Sequence, residues 1–270
     1  PGHTSSTVNT VSVEVVEKQT VAIEFGDIAE QDVTFQEITL AQTERALSIT
    51  AADLKEDSKT DPDIVLGTHY VGGTNDILVW WNARKNSGTP NSGIFALTPS
   101  YQRVLAADVN AVVLRDLNND AAAAVLTGHG AATNNIAVWV TQTGAQNAGQ
   151  MPTSPTIRYT AAGAMSVNDL VLGHFDSDAY MDFAIGATTS FGTGRVEIWH
   201  GRGGSSFIRS VADIYTNLTV IHGGTLQTEA LGEVVALAVG NFNGDAIDDL
   251  VVGSRSSTSS SNVYVMVDAA

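Results

Sequence analysis

The sequence predicts an all-β protein, a β-propeller of about four four-stranded blades, and three observations carry that prediction. Four segments end alike: DLKEDSKTDPDIVLG (53–67), DLNNDAAAAVLTG (116–128), HFDSDAYMDFAIG (174–186) and NFNGDAIDDLVVG (241–253). Their closing glycines, Gly67, Gly128, Gly186 and Gly253, recur about every 60 residues, the signature of one supersecondary unit stacked on copies of itself. Each glycine is then followed by a second apolar run, DILVWWN, NIAVWVT, RVEIWHG or NVYVMVD, which brings Trp80, Trp139, Trp199 and Met266 to equivalent positions.

Within each unit the strands can be read in order. A run precedes the acidic loop (ALSITAADL, VNAVVLRDL, VNDLVLGHF, VVALAVGNF), the run ending in glycine follows it, the tryptophan run is third, and a looser run such as GIFALTPSYQRVL or SSFIRSVADIY closes the unit. Short runs rich in Val, Ile and aromatics between Gly, Asn and Asp turns are antiparallel strands, and their radial repetition is a propeller. The unit beginning at Val234 reaches Ala270 without a fourth strand, while VTFQEITL (33–40) precedes the first unit unpaired. Pairing of 33–40 with 263–267 would close the ring and remove exposed strand edges. Residues 1–30 stand apart from the propeller at 31–270. TVSVEVVE and TVAIEFGD each alternate apolar and polar residues around EKQT, which predicts a β-hairpin with one apolar face. Two strands alone are marginal in water, so this hairpin is expected to join a neighbouring domain or subunit, or to fold back on its own propeller.

Composition excludes several classes of function. With 13 Lys+Arg against 29 Asp+Glu the net charge is -16, which opposes a phosphate backbone or an anionic membrane surface. Nucleic acid is therefore not an expected partner. No apolar stretch is long enough to insert in a bilayer and the first residues lack signal-peptide character, so a soluble chain with any export signal already removed is expected. There is no cysteine, hence no disulfide and no thiolate ligand.

The acidic loops are the candidate sites. In the fourth, Asn241, Asn243, Asp245 and Asp249 occupy positions one, three, five and nine, Gly244 permits the turn, and the backbone carbonyl of Ile247 stands at position seven. Oxygens at odd spacing in a tight loop converge on one point, which suits a hard cation wanting six to eight oxygen ligands; Ca2+ is expected. In the third loop Asp176, Asp178 and Asp182 match, Tyr180 takes position seven, and His174 stands at position one. In the second, Asp116, Asn118 and Asp120 match but Ala124 replaces the last carboxylate, so that loop is expected to be empty. The first has two extra residues, and either Asp61 or Asp63 closes it on Asp53 and Asp57. The alternative without metal is that these carboxylates form Asx-turns with backbone N–H groups.

These loops resemble the FG-GAP or VCBS repeats of integrin-α-like β-propellers, whose pattern is close to D-x-N-G-D-G-x-x-D-L-V-V-G. The likeness covers roughly residues 33–270 and is most specific in the fourth unit. It implies a secreted or cell-surface propeller with calcium held between the first two strands of each blade. The hairpin resembles, more weakly, the end of the Sdr-type B domains of bacterial surface proteins, which implies a junction in something longer.

The sequence carries no G-x-S-x-G elbow, H-E-x-x-H or P-loop, and its well-defined carboxylate pairs fall inside the candidate loops. Among the histidines, His69 and His129 both follow a strand-ending glycine and His200 follows Trp199, placement that speaks for scaffold. An enzyme is therefore not expected. Trp80 and Trp81 are adjacent and must point to opposite faces of a strand, which makes Trp81 a candidate platform for a sugar ring. The expected function is a calcium-stabilised extracellular module for adhesion or assembly that binds a protein or glycan at the cell surface. A carbohydrate-binding lectin and the non-catalytic part of a polysaccharide-active enzyme are the alternatives.

Overall fold

A computed structural model of the chain describes residues 37–40, 45–54, 62–70, 72, 76–82, 95–118, 120, 122–143, 149–222, 225–255 and 261–267. The expected hairpin within 1–30, the start of the 33–40 strand, Asp57 and Asp61 lie outside them. Every regular element described is a β-strand, and all pairings are antiparallel.

The strands fall into four repeated sheets and one hairpin. The first sheet runs β1 (Ala46–Ala52), β2 (Asp63–Thr68), β3 (Ile77–Trp80), β4 (Tyr101–Arg103), and the second β5 (Val109–Arg115), β6 (Ala124–His129), β7 (Ile136–Trp139), β8 (Ile157–Tyr159). The third comprises β9 (Ser166–Gly173), β10 (Asp182–Ser190), β11 (Thr193–Gly201) and β12 (Phe207–Ile208), with β13 (Ile214–Tyr215) also on β11. A separate hairpin, β14 (Asn217–His222) with β15 (Thr225–Ala230), precedes the fourth sheet, β16 (Glu233–Gly240), β17 (Asp249–Arg255), β18 (Ser261–Met266). This hairpin accounts for the longest spacing between repeat glycines, and its sequence signal is the Gly223-Gly224 dipeptide between two alternating runs.

Successive sheets pack face to face, because the central strands of each are apolar on both sides. Val65, Val79 and Val109 share a core with Val125 and Trp139 between sheets one and two. Leu126 and Val138 meet Phe183, Ile185 and Trp199 between two and three. Ala184, Val196 and Ile198 meet Val234, Leu250, Val252 and Tyr264 between three and four, with Leu218 of the hairpin and Met266 joining. The tryptophan register is thus realised in space: Trp139, Trp199 and Met266 each face the preceding sheet. Trp80 faces the other side of sheet one, where Ile38 and Leu40 pack with it. Burial of Trp80, Trp139 and Trp199 makes them core, while Trp81, on the opposite face, is half-buried and meets Tyr101 edge-on at 5.6 Å.

The spacing between sheets is set by the repeat glycines. A Cβ on Gly67, Gly128 or Gly186 would lie 2.6, 2.5 or 2.5 Å from the γ-methyl of Val109, Val167 or Val234, the first-strand valine of the next sheet. Each glycine is therefore a socket for a valine, and only a residue without a side chain leaves the room. Every first strand also carries an irregularity at one register, where Leu47, Asn110, Asn168 and Val235 stand beside the socket. The two asparagines use it: Asn110 Nδ2 donates to Val167 O (2.9 Å) and Asn168 Nδ2 to Val234 O (2.7 Å), and in sheet one Ser48 Oγ donates to Val109 O (3.1 Å). Extra residues of this kind re-aim a side chain out of the ladder, here toward the next sheet.

Candidate metal centre

All four acidic loops join the first and second strands of their sheets, as the sequence implies. The aspartate at position nine opens the second strand and turns inward. Asp63, Asp182 and Asp249 are fully buried. Asp182 accepts hydrogen bonds from Phe175 N (2.8 Å) at the start of its loop and from Gly201 N (2.8 Å) at the end of the third strand. Asp63 repeats this with Leu54 N (3.0 Å) and Asn82 N (2.8 Å), and Asp249 with Phe242 N (2.6 Å). Asp63 therefore takes position nine of the first loop. Burial pushes the Asp182 carboxyl above its usual range, partly offset by those two N–H donors. In the second loop Ala124 carries no carboxylate, and Thr141 Oγ1 instead donates to Ala123 O (2.9 Å).

Positions three and five form Asx-turns. Asp178 N donates to Asp176 Oδ1 (2.8 Å) and Tyr180 N to Asp178 Oδ1 (2.7 Å). Asp245 N donates to Asn243 Oδ1 (3.0 Å) and Ile247 N to Asp245 Oδ1 (2.7 Å). The second loop repeats the pattern from Ala122 N to Asp120 Oδ1 (2.9 Å). The loop conformation expected without metal is thus present; among the described residues Asp176 and Asp182 come together with His200, whereas Asp178 and the carboxylates of the fourth loop join no such cluster. Asn243 Nδ2 lies 2.7 Å from Asp245 Oδ2, and Asn241 Nδ2 donates to Asp245 O. Both amide oxygens accept backbone N–H groups, Asn241 Oδ1 from Gly244 N (2.6 Å) and Asn243 Oδ1 from Asp245 N (3.0 Å), so the fourth loop matches a hard cation by donor type and spacing rather than by an already gathered shell. In the third loop His174 Nδ1 lies 3.1 Å from Tyr180 O, the carbonyl at position seven.

Two features of the site are not visible in the odd-position pattern. His174 N donates to Asp248 Oδ2 (2.8 Å) and Asp248 N to His174 O (2.8 Å), so Asp248 latches the third loop to the fourth. Its neighbour Asp249 fits the pattern and masks it. The second is His200. Phe183 pairs with Trp199, so the next residue along β11 stands across from Asp182, and the imidazole reaches the loop. His200 Nδ1 lies 3.1 Å from Asp176 Oδ2 and 3.9 Å from Asp182 Oδ2, and Nε2 lies 3.7 Å from Asp213 Oδ2. Asp176, Asp182 and His200 can each direct a ligand atom into a space under 4.8 Å across. The register between the second and third strands was the signal that could have found it.

Other buried ionisable groups belong to the scaffold. His129 Nε2 lies 2.9 Å from Thr127 Oγ1, itself an acceptor for Trp139 Nε1 (3.4 Å), and burial, with Arg158 adding repulsion, pulls the imidazole down to about 4. Glu197, fully buried, pairs with Arg209 and receives Ala162 N at 2.8 Å.

A search of curated proteins returns no match to this chain. A family model does match the fourth unit, taking in the first strand, the acidic loop, the glycine strand and the last strand described above: residues 234–266 match the FG-GAP repeat.

Proposed function

We propose that the protein is a calcium-stabilised β-propeller that serves outside the cell as a binding or structural module of a surface protein or appendage, without catalysis of its own. The observation that carries this reading is the pairing of the third and fourth loops, latched through Asp248, with oxygen donors at matching odd positions in both. Asn241, Asn243, Asp245, the Ile247 carbonyl and Asp249 would hold one ion; Asp176, Asp178, the Tyr180 carbonyl and Asp182 would hold the other. A bound ion would tie loop to strand in each unit and neutralise part of the net charge of -16.

The ring in this reading closes through residues 33–40. Ile38 and Leu40 pack on Leu66, Leu78 and Trp80, the face that the outer strand of a closing blade would cover, and the fourth sheet has three strands among the described residues. The partner is a protein or glycan at the cell surface, engaged by the loops or through the 1–30 segment. The test is thermal unfolding of the full chain in chelator and in calcium. A ligand at 100 times its dissociation constant adds about 2.7 kcal/mol to the folded state, so calcium should raise the Tm, and identical curves would reject the calcium reading.

A further inference from the structure

The third loop differs from the fourth in its imidazoles, His174 at position one and His200, which reaches in from the third strand toward Asp176 and Asp182. The geometry points to a site for a borderline transition-metal cation, Zn2+ or Co2+ in class, built from Asp176, Asp182 and His200. The inference rests on the reading of the third loop as a cation site and changes the metal it selects.

Three observations bear on it. The first is donor chemistry: imidazole nitrogen with two carboxylate oxygens is a Zn2+, Co2+ or Ni2+ set, whereas calcium takes oxygen. The separations of 3.1 and 3.9 Å from Nδ1 to the two carboxylates compare with about 3.0–3.4 Å between ligands that each stand about 2.1 Å from one metal. The three ligand atoms lie within 4.8 Å of one another, so drawing them onto one ion takes a movement of up to about 1 Å, and solvent would complete its shell.

The second is an unmet hydrogen-bonding group. His200 Nδ1 is shielded from solvent and makes no hydrogen bond, because its approach to Asp176 lacks the alignment of one. A buried polar atom in this state calls for a partner, and this one faces two carboxylates. The third is the arrangement behind the ligands. His200 Nε2 faces Asp213 Oδ2, the carboxylate–histidine–metal order that fixes ring orientation and raises ligand basicity. Asp213 is itself held by Ser210 N (2.6 Å), and Asp182 by Phe175 N and Gly201 N. In the fourth sheet the residue at the place of His200 is Val267, so the fourth loop lacks the nitrogen donor and stays a calcium site.

The test uses the full chain freed of metal with chelator, titrated separately with Zn2+, Co2+ and Ca2+ by calorimetry, with Co2+ absorption in the visible range as an independent report of nitrogen ligation. The inference predicts a Zn2+ and Co2+ site whose affinity falls about 10–100-fold in Asp213→Asn and by at least that in His200→Gln, with no change in calcium binding at the fourth loop. His200→Gln keeps a polar side chain of similar reach, and the metal-free melting curve confirms that it folds. Unchanged Zn2+ affinity in His200→Gln overturns the inference, since the ion then sits elsewhere. Calcium uptake by both loops with no preference for Zn2+ overturns it while leaving the calcium reading intact. No metal uptake at either loop overturns both.

Discussion

Replacing two glycines that stand at the same place in the repeat should have opposite effects. At Gly186 an added Cβ would lie 2.5 Å from Val234 Cγ1 and 3.2 Å from Val234 Cβ, about 1 Å inside ordinary carbon contact. Val234 is fully buried, so relief requires sheets three and four to separate or Val234 to leave its rotamer. Overpacking of this kind costs about 1–3 kcal/mol. At Gly253 the nearest atoms are Ala236 Cβ and O at 3.5 Å, both in its own sheet, and at the register of Val234 the first sheet carries only Ala46. Gly253→Ala therefore meets no clash and gains about 0.4–1 kcal/mol by restricting the unfolded chain. Urea denaturation monitored by tryptophan fluorescence measures both, and in Gly186→Ala the added Val234→Ala should recover part of the loss as a favourable coupling. Equal destabilisation by Gly186→Ala and Gly253→Ala would refute the valine-in-socket account of sheet spacing.

Three further outcomes follow from the same contacts. Asp182→Ala strands the buried N–H groups of Phe175 and Gly201, at about 1–3 kcal/mol each, so unfolding in chelator should show a loss of about 2–6 kcal/mol; a loss below 1 kcal/mol would show that the brace is idle. His129 takes up its proton near 6.5 when unfolded but only near 4 when folded, so stability is lost as pH falls between those values. The full loss is about 3 kcal/mol, and His129→Gln, compared with the parent from pH 7 to pH 4, should lack that part of the slope. Asn168→Ala removes the hydrogen bond to Val234 O and should cost about 1 kcal/mol; Leu47→Ala, at the equivalent place in sheet one, should cost less, because Leu47 is 42% exposed.

The parts of this structure legible in the sequence are those where one residue type is forced by its surroundings at every repeat. Glycine recurs at 67, 128 and 186 because the next valine fills its place. Tryptophan recurs at 139 and 199 because a large flat ring fills the gap to the preceding sheet, and Trp80 and Trp81 separate to opposite faces because strand side chains alternate. Three features escaped that reading. The displacement that sends Asn110 and Asn168 toward the next sheet adds one residue to an alternating pattern and looks like noise. Asp248 works across two loops, and no single loop motif contains a contact to its neighbour. The place of His200 after Trp199 speaks for scaffold, and only strand pairing shows that it stands opposite Asp182. The metal-free alternative puts carboxylates on backbone N–H groups in local Asx-turns, whereas the buried position-nine aspartates close each loop on N–H groups up to 19 residues away. That task explains why Ala124 needs the substitute bond from Thr141.

The central claim, that these loops hold calcium, is met most directly by calorimetric titration of Ca2+ into the metal-free chain and its Asp245→Ala variant. Asp245 is exposed and accepts from Ile247 N and Asn243 Nδ2 of its own loop, so the metal-free variant should fold and lose about 1 kcal/mol of stability. Saturable calcium binding by the parent, with the fourth-loop site lost in Asp245→Ala, is the predicted result. Absence of binding heat in the parent, or binding untouched by Asp245→Ala, would contradict the account and leave the loops as Asx-turns alone.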